Sequence, residues 1–233
     1  MENGVYEIYE EEIEKIKKIK NVQSIFLVGS TKSIDLRYEN EKVNDIDIFV
    51  ILEETYMQSR EIKNINGIEF DINYFSKLGL EKMLEEREYF FLKEMSNPKV
   101  VYDRLGDSNK IIKLCKNKFV EGPDELSKDE KCFMKNEIKS KIDRLKNKNK
   151  LEMYEYEFLT NLYLKDIIVG YFSINRKWIP KDKKIFESLK KENLELFNLV
   201  QIVQKNYKYN DLLIVYEYIF EDIEISENIK ITY

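Results

Sequence analysis

The sequence contains no histidine, and this absence excludes a large group of reaction mechanisms. Without histidine there is no Ser-His-Asp triad, no Cys-His pair, no HExxH zinc site and no imidazole general base. Any catalysis must therefore rely on carboxylates, lysine, tyrosine, or metal ions that are held by oxygen. Oxygen ligands favour hard cations such as Mg²⁺ or Mn²⁺.

Glycine, proline and cysteine are also scarce. The 7 glycines and 3 prolines among 233 residues argue against a loop-rich all-β protein and favour long helices joined by short polar turns. The two cysteines, Cys115 and Cys132, lack the spacing of a metal site. Because both fall within predicted helices, we expect them to be reduced and buried as small hydrophobic residues.

Neither a secretory signal nor a membrane-spanning segment is evident. The first residues, MENGVYEIYEEE, lack a basic region followed by an apolar run. No apolar stretch approaches the roughly 20 residues needed to span a bilayer, so we expect a cytoplasmic protein without membrane contact. A net charge of −5 provides no basic surplus for binding nucleic acid, although it does not exclude a local basic patch. A small-molecule partner is therefore favoured.

Hydrophobic periodicity divides the chain into a mixed first part and a helical second part. The first part alternates predicted helices, at 6–20 and 78–95, with predicted strands, at 24–28, 45–52, 68–75 and 100–102. The second part contains predicted helices only, at 110–120, 124–148, 152–173 and between 181 and 221. This pattern predicts an α+β protein with two domains, the first over residues 1–108 and an all-α domain over residues 109–233.

Polar residues occur at three defined places in the strands of the first domain. Gly29-Ser30 follows the first strand, Asp45 and Asp47 open the second, and Asp71 lies inside the third. Residues two apart in a strand point to the same face, so the first two aspartates project together while Ile46 points into the core. If the third strand lies beside the second, Asp71 completes a cluster of three carboxylates. Such a cluster repels itself unless a cation neutralises it.

These features suit the transfer of a phosphoryl group from a nucleoside triphosphate. Two metal ions bound by the carboxylates and by triphosphate oxygens make a site for in-line displacement. The glycine of Gly29-Ser30 lets the backbone approach a phosphate closely. Backbone amides and the Ser30 hydroxyl can then donate hydrogen bonds to the β- or γ-phosphate.

This order of motifs resembles the nucleotidyltransferase superfamily of the DNA polymerase β type. The matching runs are Ile25-Phe26-Leu27-Val28-Gly29-Ser30, Asp45-Ile46-Asp47-Ile48-Phe49-Val50 and Phe70-Asp71-Ile72, within about residues 20–75. The resemblance implies a mixed β-sheet backed by helices, two Mg²⁺ ions, and transfer of a nucleoside monophosphate with release of pyrophosphate. It also favours Asp71 over Glu69, which shares the same strand face, as the third acid. The pattern departs from the family at Thr31-Lys32-Ser33-Ile34-Asp35, which lacks a second glycine.

A weaker resemblance involves the helical second domain. The run from Trp178 through Pro180 to Lys183 is similar to an aromatic-x-Pro-x-x-Lys run in aminoglycoside and lincosamide nucleotidyltransferases. By that likeness Lys183 would approach the triphosphate and stabilise charge on the leaving pyrophosphate. The alternative is a turn between helices in which Trp178 packs in the core. The same likeness suggests a carboxylate of this domain as general base, and the candidates are Glu152, Glu155, Glu157 and Asp166.

The leading functional expectation is transfer of AMP from ATP to a hydroxyl of a small, antibiotic-like acceptor. One alternative is a nucleotidyltransferase that modifies a protein or an RNA end, as some toxin–antitoxin members do, which predicts a basic groove beside the aspartates. The other is a degenerate module that only binds nucleotide or a partner. The presence of Asp45, Asp47 and Asp71 argues against this last alternative.

Overall fold

A computed structural model of the chain describes residues 4–38, 43–53 and 58–224. The chain divides into two compact units, Met1–Glu121 and Gly122–Tyr233. This division falls later than the expected boundary after residue 108. The helix that follows residue 107 belongs to the first unit, and its Ser108 hydroxyl donates a buried hydrogen bond of 3.0 Å to Ser24 in the sheet.

The first unit mixes helices and strands, as the periodicity predicts. Its described elements are α1 (Val5–Lys17), β1 (Val22–Val28), β2 (Asp45–Leu52), β3 (Ser59–Ile65), β4 (Ile68–Ser76), α2 (Lys77–Glu85), α3 (Tyr89–Met95), β5 (Lys99–Asp103) and α4 (Ser108–Glu121). The described part of the second unit is helical throughout, with α5 (Lys128–Asp143), α6 (Met153–Ile174), α7 (Ile185–Glu192), α8 (Leu194–Asn206) and α9 (Tyr209–Phe220). The predicted α+β fold with a helical second part is therefore confirmed.

The five strands form one mixed sheet in the order β3-β4-β2-β1-β5. The central pair, β2 and β4, is parallel, and the other neighbouring strands are antiparallel. Alternation along β2 sends Ile46 and Ile48 to the face that packs against Ile13 and Ile16 of α1. The opposite face carries Phe49, whose ring stacks on a phenylalanine of α3 at a centroid distance of 5.7 Å. The sheet is thus covered by helices on both faces.

Two features of the first unit differ from the sequence prediction. Strand β3 was not predicted, because its residues are mostly polar and exposed, as suits a strand at the edge of the sheet. Asn66 and Gly67 adopt positive φ angles of 51° and 84° and join β3 to β4 in a hairpin. The single helix expected over 78–95 is instead two helices, separated at Arg87, which has a φ of 49°.

The second unit has its own hydrophobic core, formed by α5 to α9. The expectation for the cysteines is confirmed, since Cys115 and Cys132 are both free and buried. Burial raises the pKa of the Cys115 thiol to about 12. None of the helices in the described ranges is both long enough and apolar enough to cross a bilayer.

Candidate active site

The parallel pairing of β2 with β4 brings the predicted acids side by side. Asp47 lies directly beside Asp71, and Asp45 lies directly beside Glu69. Paired residues on neighbouring strands point to the same side, about 4.8 Å apart along the hydrogen-bonding direction. All four acids therefore share one face of the sheet, at the start of β2. Adjacency of the two strands was the condition for including Asp71, and the structure meets it.

The side chain of Asp71 is occupied by a residue that the sequence analysis did not single out. Arg60 of β3 donates to both of its carboxylate oxygens, from Nε at 2.8 Å and from Nη2 at 2.7 Å. The Asn73 amide donates a third hydrogen bond, of 3.0 Å. Arg60 stands opposite Asn73 across the β3–β4 pair, so Asp71 is its diagonal neighbour, within reach of a long side chain.

The predicted convergence of three carboxylates on one point is not seen. Within residues 4–38, 43–53 and 58–224, no three acidic or cysteine side chains are grouped so that they could hold a metal ion together. Mg²⁺ does not require such a cage, because it is usually bound by one or two carboxylates together with waters and substrate phosphates. The exposed Asp45 and half-buried Asp47 are hard oxygen ligands on one strand face and fit that requirement. Metal binding by Asp71 stays a prediction.

The turn after β1 lies against the Asp47 carboxylate. Gly29 has a φ of 70°, a conformation that residues with a side chain rarely adopt. A Cβ atom at this position would lie 2.1 Å from Oδ2 of Asp47. Glycine is therefore required here both by the backbone angle and by the space that the carboxylate occupies.

The same turn holds an anion supplied by the protein. The Gly29 amide donates a 3.0 Å hydrogen bond to Oε2 of Glu94, a half-buried residue of α3. The Lys32 ammonium lies 3.5 Å from the same oxygen. The Gly29 amide, which we expected to contact a phosphate, thus contacts a carboxylate. No local pattern marks Glu94, which lies 65 residues further along the chain.

The two hydroxyl residues of this turn have different surroundings. Ser30 is exposed, and its carbonyl accepts a 3.2 Å hydrogen bond from the Ser33 hydroxyl. The Thr31 hydroxyl is buried and has no hydrogen-bond partner among the described residues. An exposed Ser30 side chain is free to meet a ligand, whereas the role of Ser30 in phosphate binding stays a prediction.

The predicted residues of the second unit lie on its surface or take part in local contacts. Lys183 is exposed, in a 3₁₀ turn over Asp182–Lys184. Glu152 and Glu155 form the capping box at the start of α6, and Asp166 pairs with Lys141 at 3.0 Å. Trp178 is half-buried. The roles of Lys183 in triphosphate binding and of a carboxylate of α6 as general base stay predictions.

The aromatic residues of α6 divide into two groups. Tyr156 and Tyr163 are in the core of the unit, whereas Tyr154 and Phe158 are 71% and 66% exposed. The helix thus presents two aromatic side chains away from the core of its unit.

Comparison with known proteins supports the fold. No protein-family model and no curated protein matches the chain. Among solved structures, the chain is similar to a nucleotidyltransferase-like protein from Exiguobacterium sibiricum, with 10% sequence identity and a TM-score of 0.54. The match covers 94% of this chain and 75% of the other. At this level of identity the likeness concerns the fold alone.

Proposed function

We propose that this protein is a metal-dependent nucleotidyltransferase that transfers AMP from ATP to a hydroxyl of a small, antibiotic-like acceptor and releases pyrophosphate. The observation that carries the proposal is the contact between the Gly29 turn and the Asp47 carboxylate, beside Asp45 and in register with Asp71. A turn shaped for close backbone approach and a row of carboxylates are the two halves that triphosphate chemistry requires. The nucleotidyltransferase-like fold supports the same reaction class.

The proposal assigns a role to each residue. Asp45 and Asp47 would hold Mg²⁺ or Mn²⁺, with Asp71 as the third acid of a two-ion site. Bound metal would supply neutralisation of triphosphate charge and orientation for in-line attack. The Gly29-Ser30 turn would donate hydrogen bonds to the β- or γ-phosphate, and Lys183 would stabilise charge on the pyrophosphate.

The transfer balances with groups that the chain contains. An oxygen–phosphorus bond forms between the acceptor hydroxyl and the α-phosphate, and the bond from the α-phosphorus to the bridging oxygen breaks. Pyrophosphate leaves with that oxygen. The hydroxyl proton passes to a carboxylate, because the chain has no histidine to accept it. The choice of ATP rests on the resemblance to antibiotic nucleotidyltransferases alone. The choice of a small acceptor rests on that resemblance and on the net charge of −5.

The test combines Asp45→Asn and Asp47→Asn. The double variant should lose Mn²⁺-dependent binding of a fluorescent ATP analogue while its circular dichroism spectrum stays that of the folded wild type, because each substitution preserves the size of the side chain. Glu69→Gln, which removes one charge from the same face, serves as the control and should keep binding. Nucleotide transfer by the double variant would contradict the mechanism.

Acceptor identity needs a separate assay. The wild-type protein is incubated with each labelled nucleoside triphosphate and with aminoglycosides, lincosamides, RNA and protein as acceptors. We expect an antibiotic to be labelled when ATP is the donor and not when another nucleoside triphosphate is used. Labelling of RNA or protein instead would replace the acceptor class while leaving the metal-dependent reaction in place.

A further inference from the structure

The candidate metal site carries a cation from the protein itself. The Arg60 guanidinium makes two hydrogen bonds to the Asp71 carboxylate, at 2.8 Å and 2.7 Å. This is the paired geometry in which arginine binds carboxylates most strongly. Asp71 stands in register with Asp47, so Arg60 places one positive charge where the proposed reaction needs a metal.

The surroundings of Arg60 allow it to leave. Its side chain is 58% exposed and extends from the edge strand β3, whereas the Asp71 side chain is 17% exposed. In the described part of the chain, Asp71 is the only hydrogen-bond partner of the guanidinium. Arginine keeps its charge at all ordinary pH values, so the guanidinium can be hydrated by water when it is released.

The ion pair between Arg60 and Asp71 changes the charge on the sheet face that carries the acids. Asp45, Asp47 and Asp71 lie on one face of the sheet, and Asp47 and Asp71 are in register. Arg60 neutralises one of them, and it uses the two oxygens that a metal would otherwise contact. A divalent ion and the guanidinium therefore compete for the same carboxylate.

Building on the proposed function, we propose that Arg60 is a counter-ion that holds Asp71 in the metal-free protein and releases it when a divalent metal binds. Asp71 then becomes the third metal ligand only after Arg60 is displaced. The pair lowers the affinity of the free protein for metal alone. It also gives the largely buried Asp71 carboxylate a partner before the metal and its triphosphate arrive.

A positioning role for Arg60 would have the opposite consequence. If the guanidinium held Asp71 in the orientation that the metal needs, its removal would weaken metal binding. The two roles are therefore separated by the sign of the change in metal affinity, which can be measured without any turnover.

The experiment titrates Mn²⁺ against the full-length protein without nucleotide, using the electron paramagnetic resonance signal of free Mn²⁺. Arg60→Gln should bind Mn²⁺ about tenfold more tightly than wild type, because one repelling charge next to a dication is removed. Adding Asp71→Asn to Arg60→Gln should abolish that gain.

The matched control is Arg104→Gln. Arg104 pairs with Glu53 at 2.5 Å. Glu53 directly follows the last residue of β2, whereas Asp45 is the first residue of that strand. Glu53 lies six residues along the chain from Asp47, the residue in register with Asp71, which is about 20 Å in an extended strand. This distance exceeds the screening length at physiological salt, so the same change in net charge should alter Mn²⁺ affinity less than twofold. If Arg60→Gln does not fold, Arg60→Lys takes its place. Lysine keeps the charge but not the paired geometry, so this variant should show a smaller increase in Mn²⁺ affinity.

The outcomes separate the two proposals. Equal or weaker Mn²⁺ binding by Arg60→Gln, with normal binding by wild type, overturns the counter-ion role and leaves the proposed function standing. An absence of Mn²⁺ binding in both wild type and Arg60→Gln overturns both. Tighter binding by Arg60→Gln that Asp71→Asn reverses supports the counter-ion role.

Discussion

Replacing Gly29 with alanine tests the contact on which the proposed function rests. The substitution adds one methyl group in a turn where φ is 70° and where that group would lie 2.1 Å from Oδ2 of Asp47. The backbone cannot absorb an overlap of this size. The carboxylate is the end of a side chain, however, so Asp47 can turn away from the methyl group.

Two separate effects follow from this geometry. The left-handed backbone conformation costs a residue with a Cβ about 1–2 kcal/mol relative to glycine. In a chain of this size, that loss lowers the melting temperature by roughly 2–8 °C. The displaced Asp47 should in addition weaken Mn²⁺ binding at least about tenfold, the scale seen when the groups that orient a metal ligand are lost.

The control is Gly106→Ala. Gly106 has a φ of 74°, close to that of Gly29, but a Cβ atom there would meet nothing within 4 Å. Calorimetry should therefore show similar decreases in melting temperature for the two variants. A Mn²⁺ titration should show weaker binding for Gly29→Ala only.

The reasoning fails if both variants bind Mn²⁺ like wild type. In that case the position of the Asp47 carboxylate beside the turn has no bearing on metal binding. It also fails if Gly106→Ala weakens binding as much as Gly29→Ala, because the effect would then arise from general loss of stability.

Two further predictions concern other contacts. Glu94→Gln should tighten the binding of tripolyphosphate, measured in a thermal-shift titration. The substitution removes the negative charge beside Lys32 but keeps an oxygen that can accept the hydrogen bond from the Gly29 amide. An unchanged affinity would show that Glu94 does not compete with phosphate. Gly170→Ala should destabilise the second unit by about 1–3 kcal/mol in urea unfolding, since the new Cβ would lie 2.6 Å from the buried Phe220 ring. A stability equal to wild type would mean that the ring can move.

Local sequence patterns were sufficient for most of the elements. Strand β2 begins and ends at the predicted residues, Asp45 and Leu52, because its apolar run is bounded by polar residues. Strict alternation in β4 placed Asp71 on a known face of its strand, since side chains in a strand repeat every two residues. The edge strand β3 was missed for the converse reason: none of its residues is buried, so it has no apolar pattern to detect.

The sequence by itself therefore determined which functional side chains lie together within each helix, strand or turn. The two-residue repeat of a strand puts Asp45 and Asp47 on one side, and Gly29 allows the turn. The lack of histidine restricts catalysis to carboxylates, lysine, tyrosine or metal ions held by oxygen. These properties depend only on neighbours along the chain.

Only the tertiary structure decided which elements meet. The parallel register of β2 with β4 sets Asp47 beside Asp71, and an edge strand brings Arg60 to that same carboxylate. Glu94 reaches the Gly29 amide from a helix 65 residues away. Such pairings follow from how the whole sheet and its covering helices pack, because residues distant in sequence are joined by long-range contacts that no local pattern encodes.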